Sequence, residues 1–301
     1  MRCGVLCSPD SWYLADLRRA ACDEHEIVGI SFRDLAATVD SHHVRLHSNE
    51  GSSEVAGNLR DFDVLLVRTM PPGSLEQVVV RMDILGILES QGSLIVNPPR
   101  AIEVAVDKFL ALARLTAAGL RVPRTFVCQT AAEGISAFEQ LQGDAVLKPL
   151  FGSEGRGITR IADRAFAERA CRLLVERGEV LYLQEFIDHP GFDVRVLLIG
   201  DQAMLFKRTN RHDWRTNLSL GAQAERIEPT AEILDSSRRA AQAVGAPLAG
   251  VDLIQDRAGN WYVLEVNAVP GWKATAGALG IDIGRLVVEY LARLVRERQD
   301  R

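Results

Sequence analysis

Residues 249–270 read AGVDLIQDRAGNWYVLEVNAVP. Two β-rich runs flank a polar turn at 256–260, the signature of a hairpin. Side chains alternate along a strand, so Glu265 and Asn267 leave the same face. Asp252, on the first strand, joins that face if Asp256 sits opposite Trp261, because Asp252 then lies opposite Glu265. Two carboxylates and an amide oxygen on one face are hard donors suited to Mg2+ or Mn2+. The same alternation also describes an ordinary antiparallel sheet with one wet face, so the rest of the chain has to decide.

At 301 residues the chain has room for two or three small domains. With 47% apolar and 25% charged residues it falls in the soluble globular class. A net charge of −5 and the absence of a basic tail argue against a nucleic-acid partner. No apolar run approaches membrane-spanning length and the N-terminus lacks the apolar core of a signal peptide, so a cytoplasmic protein without a membrane partner is expected. Five scattered cysteines offer no second pair for a zinc site and fit reduced thiols.

Residues 1–97 alternate strands at 2–7, 26–31, 62–68 and 94–97 with helices at 11–21 and 75–90, which predicts a parallel α/β layer. Ligands favour the carboxyl ends of such strands, where Ser8-Pro9-Asp10 and Arg68-Thr69 fall. Arg68 could meet an anionic substrate group or be a surface arginine near a turn. The segment 36–59, with His42, His43 and His47, shows no clear period and reads as a solvated loop. Asn97-Pro98-Pro99 marks a boundary.

A helix over 101–118 carries Lys108, and strands at 125–128 and 145–150 flank a helix at 131–141. Lys148 interrupts an apolar strand, where an unpaired ammonium is costly to bury, so it should face a polar cleft. The strand runs into Gly152-Ser153-Glu154-Gly155-Arg156-Gly157. Three glycines there let backbone amides approach an anion, although the spacing is neither a Walker A loop nor a Rossmann fingerprint. After a helix at 163–177, the strand at 180–187 ends in a hinge-like QEFI. Strands at 193–199 and 203–209 form a hairpin on which Asp193 and Arg195 share a face, while Arg208 points away from Lys207 and Thr209. The polar stretch 210–220, with Arg211, Arg215 and Asn217, reads as a cationic loop over a cleft. A strand at 223–227 and helices at 230–244 and 281–296 complete the chain. The expected domains are 1–97, 98–183 and 184–301.

The segments AVDKFLALARLTAAGLRVPRT, VLKPLFGSEGRGI, YLQEFID, DVRVLLIGD, WRTNLSLGA and EVNAVPGW stand in the order found in the ATP-grasp superfamily, and the chain resembles it over roughly 101–296. Within it the look is that of RimK-type ligases, most of all the tetrahydromethanopterin or coenzyme F420 glutamate ligases. The resemblance implies an α/β (α+β) ATP-grasp fold, an N-terminal parallel α/β domain followed by two α+β lobes that clamp ATP. It implies that Lys108 and Lys148 contact the phosphates and that Gly152, Ser153, Gly155 and Gly157 fold over them. Adenine would meet the hinge at Gln184, Glu185, Phe186 and Ile187. Asp193 would reach the ribose, and Arg215 and Asn217 would belong to a phosphate-proximal loop. Asp252, Glu265 and Asn267 would hold one or two Mg2+ or Mn2+ ions, two in the fuller arrangement.

A carboxylate is a poor electrophile, and the resemblance implies that ATP turns it into an acyl phosphate that an amine then attacks, giving an amide, ADP and phosphate. Arg195 and Arg208 could stabilise the developing charge, or each could be an ion-pair partner across the hairpin. The expected amine is L-glutamate. Trp272 could stack on a flat acceptor such as a pterin, or simply pack. A protein C-terminus, a carrier protein or a dipeptide are alternative acceptors. A nucleotide-binding regulatory module without turnover is a reading of another class, and the presence of both lysines and all three oxygen donors speaks against it. A homo-oligomer remains open.

Overall fold

A computed structural model describes residues 1–49, 57–152, 156–217 and 221–300. The N-terminal layer contains β1 (Arg2–Leu6), α1 (Trp12–Ala21), β2 (Glu26–Ile30), β3 (Leu35–Val39), β4 (Val44–Ser48), β5 (Gly57–Asn58), β6 (Val64–Val67), α2 (Leu75–Ser90) and β7 (Ile95–Val96). Four of these strands pair in parallel in the order β2-β1-β6-β7. Parallel strands need crossovers and are covered on both faces, which explains their near-continuous apolar sequence. The chain winds to one side of β1 first and to the other side afterwards, which leaves a crevice between the carboxyl ends of β1 and β6.

The segment 36–59 is not a plain loop. β3 and β4 form a hairpin from Leu35↔Ser48 to Val39↔Val44, and β5 adds a short third strand. Asp40 shapes the turn by accepting the N–H groups of His42 and His43, and Leu46 anchors the small sheet in the core. Of the three histidines, His42 and His43 are exposed as expected and His47 is half-buried.

The helix expected over 101–118 is two helices, α3 (Pro99–Val106) and α4 (Lys108–Ala117). Asp107 separates them. Its carboxylate accepts the N–H groups of Phe109 and Leu110 and caps α4. Next come β8 (Thr125–Cys128), α5 (Ala131–Gln140), β9 (Ala145–Lys148), β10 (Thr159–Ile161), α6 (Arg164–Glu176) and β11 (Leu181–Glu185). They make an antiparallel sheet ordered β10-β9-β11-β8, with Ala137, Phe138, Ala167 and Cys171 of its two helices buried against it. The three residues of β10 are too few to carry a period.

The C-terminal sheet contains β12 (Phe192–Ile199), β13 (Gln202–Thr209) and β14 (Gln223–Arg226), then, after α7 (Ala231–Val244), β15 (Leu248–Gln255) and β16 (Trp261–Asn267). Its order is β14-β13-β12-β15-β16. Val194, Val196, Leu198, Val251 and Leu253 bury one face against α3, α4 and α7. The expected boundary at 97/98 groups α3 and α4 with the middle lobe, yet they pack here. On the other face Leu197, Ile199 and Met204 meet α1 and the last helix, α9 (Ile283–Gln299), which follows the short α8 (Lys273–Leu279). The near end of that face is left to charged residues. Among the described residues no helix is long and apolar enough to cross a membrane.

Candidate active site

Asp252 does lie opposite Glu265, by a route the sequence does not show. The hairpin pairs Gln255↔Trp261, Ile254↔Tyr262 and Leu253↔Val263, then shifts, and continues Asp252↔Glu265, Val251↔Val266 and Gly250↔Asn267. Asp256 is not opposite Trp261 because it is spent on the turn, where its carboxylate accepts the N–H groups of Ala258 and Asn260. The shift leaves Leu264 as the extra residue of a β-bulge. Leu264 and Glu265 consequently both line the cleft, which strict alternation forbids.

Register sets the charged face. Arg208 stands opposite Asp193, Arg195 opposite Asp252, and Asp252 opposite Glu265. Arg208 forks onto Asp193, with Nε at 2.7 Å, and its Nη2 also reaches Asp252 at 2.9 Å. Arg195 grips both oxygens of Asp252, at 2.5 and 2.6 Å, and approaches Glu265 at 3.6 Å. The ion pair across the hairpin is therefore the state of Arg208, while Arg195 pairs with the next strand. Asp193, expected at the ribose, lines the cleft but gives both oxygens to Arg208. Burial alone would push Asp252 up; the two guanidinium groups outweigh it and hold the carboxyl well below the usual carboxylate range.

The opposing wall comes from the middle sheet. Lys148, the last residue of β9, donates to Gln184 Oε1 at 2.6 Å, and Gln184 donates to Thr125 Oγ1 at 2.9 Å. Burial pushes the Lys148 ammonium down to about 8, against the pull of Glu265. Lys108 begins α4, where the Asp107 break places it. Its Nζ donates to the carbonyls of Leu150 and Gly152, at 3.1 and 2.9 Å, and pins the start of the glycine-rich loop.

Between the walls lies a cleft that opens to solvent. Lys108, Lys148 and Gly152 line it, with Gln184, Glu185, Phe186 and Ile187 along the hinge. Asp193, Arg208, Arg215, Asn217, Asp252 and Glu265 close it from the other sheet. The Glu185 N–H already donates to the Arg124 carbonyl at 2.9 Å, so adenine would meet its carbonyl there. Gly157, Arg195 and Asn267 lie off the lining, and Ser153 and Gly155 fall outside the described residues. Sequence reasoning missed the apolar walls formed by Val146, Ile158, Ile254 and Leu264, and the aromatic edge of Trp214 against Phe186 with centroids 5.7 Å apart. The apolar runs of β9 and β15 read as strands; nothing in them shows which residue meets the cleft.

Trp272 cannot stack on an acceptor. It is fully buried, its Nε1–H donates to Asp16 at 2.9 Å, and its ring packs edge-on to Tyr13 at 4.8 Å. The turn after β16 carries it into the N-terminal layer. Arg68 is no surface arginine either. It is 1% exposed, with its guanidinium 4.3 Å from the Tyr13 ring and 4.2 Å from that of Trp272.

Among the described residues no group of three His, Cys, Asp or Glu could hold a metal ion alone. Asp252 and Glu265 face the cleft, where phosphate oxygens would supply the further hard ligands that Mg2+ takes, whereas the Asn267 amide oxygen already accepts the Val269 N–H at 2.8 Å.

A family model described as a RimK-like ATP-grasp domain matches residues 105–291. The chain is 35% identical over 267 residues to the tetrahydromethanopterin:alpha-L-glutamate ligase of Methanosarcina acetivorans, covering 79% of this chain and 82% of that one. It is 29% identical to the alpha-aminoadipate–LysW ligase LysX of Sulfurisphaera tokodaii, over 83% and 85% of the two chains. Among solved structures, the ATP-grasp ligase PsnB complexed with its minimal precursor superposes with a TM-score of 0.73 at 23% identity, covering 97% of this chain and 98% of that one. At that identity the likeness speaks for the fold alone.

Proposed function

The chain belongs to the RimK-like ATP-grasp family of ATP-dependent ligases, and on that premise we propose that it joins L-glutamate, as the amine, to a carboxylate on a pterin-type small-molecule acceptor. The observation that carries the ligase site is the meeting of Lys148, on one sheet, with Asp252 and Glu265, on the other, across a single cleft. Glutamate and the pterin rest on the relatives' names, and Trp272 lends them nothing.

In the proposed reaction an acceptor carboxylate oxygen attacks the γ-phosphorus of ATP and ADP leaves. The glutamate nitrogen then attacks the acyl carbon, phosphate departs with the C–O bond electrons, and the nitrogen loses a proton. A divalent ion, or two, held by Asp252, Glu265 and Asn267 would neutralise phosphate charge. Lys148 and Lys108 orient the triphosphate as compact cations. Arg208, which lines the cleft, would supply fixed positive charge near the acyl oxygens, and Arg195, off the lining, holds Asp252 in place. Val146, Ile158, Ile254 and Leu264 keep water from the nucleotide end of the cleft.

The test is an assay of ADP, phosphate and amide with MgATP, L-glutamate and three acceptors: tetrahydromethanopterin, an acidic carrier protein and a dipeptide. Equimolar products with the pterin are expected. Turnover with the carrier alone would move the acceptor to the LysX-like kind. Nucleotide binding without ADP formation for any acceptor would overturn the ligase reading.

A further inference from the structure

Arg68 follows β6 at the carboxyl edge of the parallel sheet, and its backbone N–H donates to the Leu6 carbonyl of β1 at 2.9 Å. This is the crevice where the winding reverses and where α/β sheets collect ligands. The side chain is buried, yet it forms no ion pair among the described residues. Nη2 donates to the Pro270 carbonyl at 2.8 Å, while Nε and Nη1 have no hydrogen-bond partner. Buried guanidinium groups are almost always paired, because an unmatched charge and unmade donors both disfavour the folded state. The rings of Tyr13 and Trp272 fix the guanidinium plane and offset part of that cost. The next residue, Thr69, is exposed, as are Ser8 and Pro9 beyond the neighbouring strand, so the surface lies one residue away from the buried cation. Pro270 stands three residues beyond Asn267, so Arg68 also touches the turn that leaves the oxygen donors.

We propose that Arg68 binds a non-reacting carboxylate of the acidic amino-acid substrate, received in the crevice between the ends of β1 and β6 and the turn at 270–272. A single carboxylate supplies one negative charge and two acceptor oxygens, which matches one cation with two orphaned donors. The assignment rests on the ligase reading, because it is the amine substrate that must present a carboxylate the reaction leaves untouched.

The first experiment needs no variant. The wild-type protein with Mg2+ and ADP is titrated calorimetrically with L-glutamate, L-glutamine and glutamate α-amide. Glutamate should bind, and one of the amides should bind roughly ten- to a hundredfold more weakly, which identifies the carboxylate held. Arg68→Met should abolish that discrimination and Arg68→Lys should restore part of it. Two amides that bind as well as glutamate, or discrimination that survives in a folded Arg68→Met protein, overturns the proposal. Discrimination without turnover on any acceptor would remove the ligase reading and leave the subsite standing; turnover without discrimination would do the reverse.

Discussion

Lys148 can be read from sequence as far as its chemistry and no further. A lysine ending an apolar strand had to find a polar cleft, and it did, but its proton is loosened by burial to about 8. The sign follows: below that pH the ammonium is charged and meets phosphate, and above it the contact weakens. We expect kcat/KM for ATP to fall as the pH rises through about 8, and the fall to vanish in Lys148→Arg, whose guanidinium stays charged. An identical alkaline limb in both proteins would assign it elsewhere. The two carboxylates should likewise separate. Asp252 is buried between two arginines, so Asp252→Asn should cost stability, about 3–5 kcal/mol for an uncompensated buried pair, as well as activity. Glu265 is 45% exposed and only 3.6 Å from Arg195 at its nearest, so Glu265→Gln should abolish turnover while its denaturant midpoint barely moves. Equal losses of stability in the two variants would contradict this geometry. Residue type announced the donors, but it could not show that arginines already hold one of them. Nor could it tell Trp272 in a core from Trp272 in a pocket, since an apolar ring suits both.

At the scale of elements, type was legible and register was not. The hairpin at 249–270 follows from two apolar runs around a polar turn, whereas its bulge follows from Asp256 folding back on Ala258 and Asn260, a side-chain choice that periodicity does not encode. The bulge adds Leu264 to the cleft beside Glu265. Leu264→Ala should therefore weaken ATP binding roughly tenfold by removing apolar contact, with the response to Mg2+ unchanged. If nucleotide affinity is unaffected, Leu264 faces a part of the cleft that the nucleotide does not use. The break at Asp107 and the hairpin at 35–48 escaped for similar reasons. Asp107 interrupts an otherwise helical run through its own cap, and the strands of the hairpin leave Ala37, Thr38, Val39 and Arg45 exposed and bury few side chains, so apolar residues mark no inner face.

The whole molecule divides along its cores, and no local pattern reveals that division. One core joins β1 and α1, from the start of the chain, to α9 at its end, through the C-terminal sheet. Asn97 ties the same parts together by donating to the carbonyls of Leu248 and Ala268 and accepting the Leu248 N–H. The middle sheet has its own core, drawn from 126–183 alone. The cleft lies between these two bodies, so any ligand that fills it must couple their stabilities. Without nucleotide, the amides of 125–185 should exchange with solvent faster than those of β12 and β15, since few buried contacts bind the middle sheet to the rest. MgATP at about 100 times its Kd should add about 2.7 kcal/mol to the opening of that sheet and bring its exchange toward that of the C-terminal sheet. In Glu265→Gln the added protection should shrink in proportion to lost Mg2+-dependent affinity. Protection that spreads equally over β1, α9 and the middle sheet would mean that one cooperative core spans the chain, and that the nucleotide clamps nothing that was free to part.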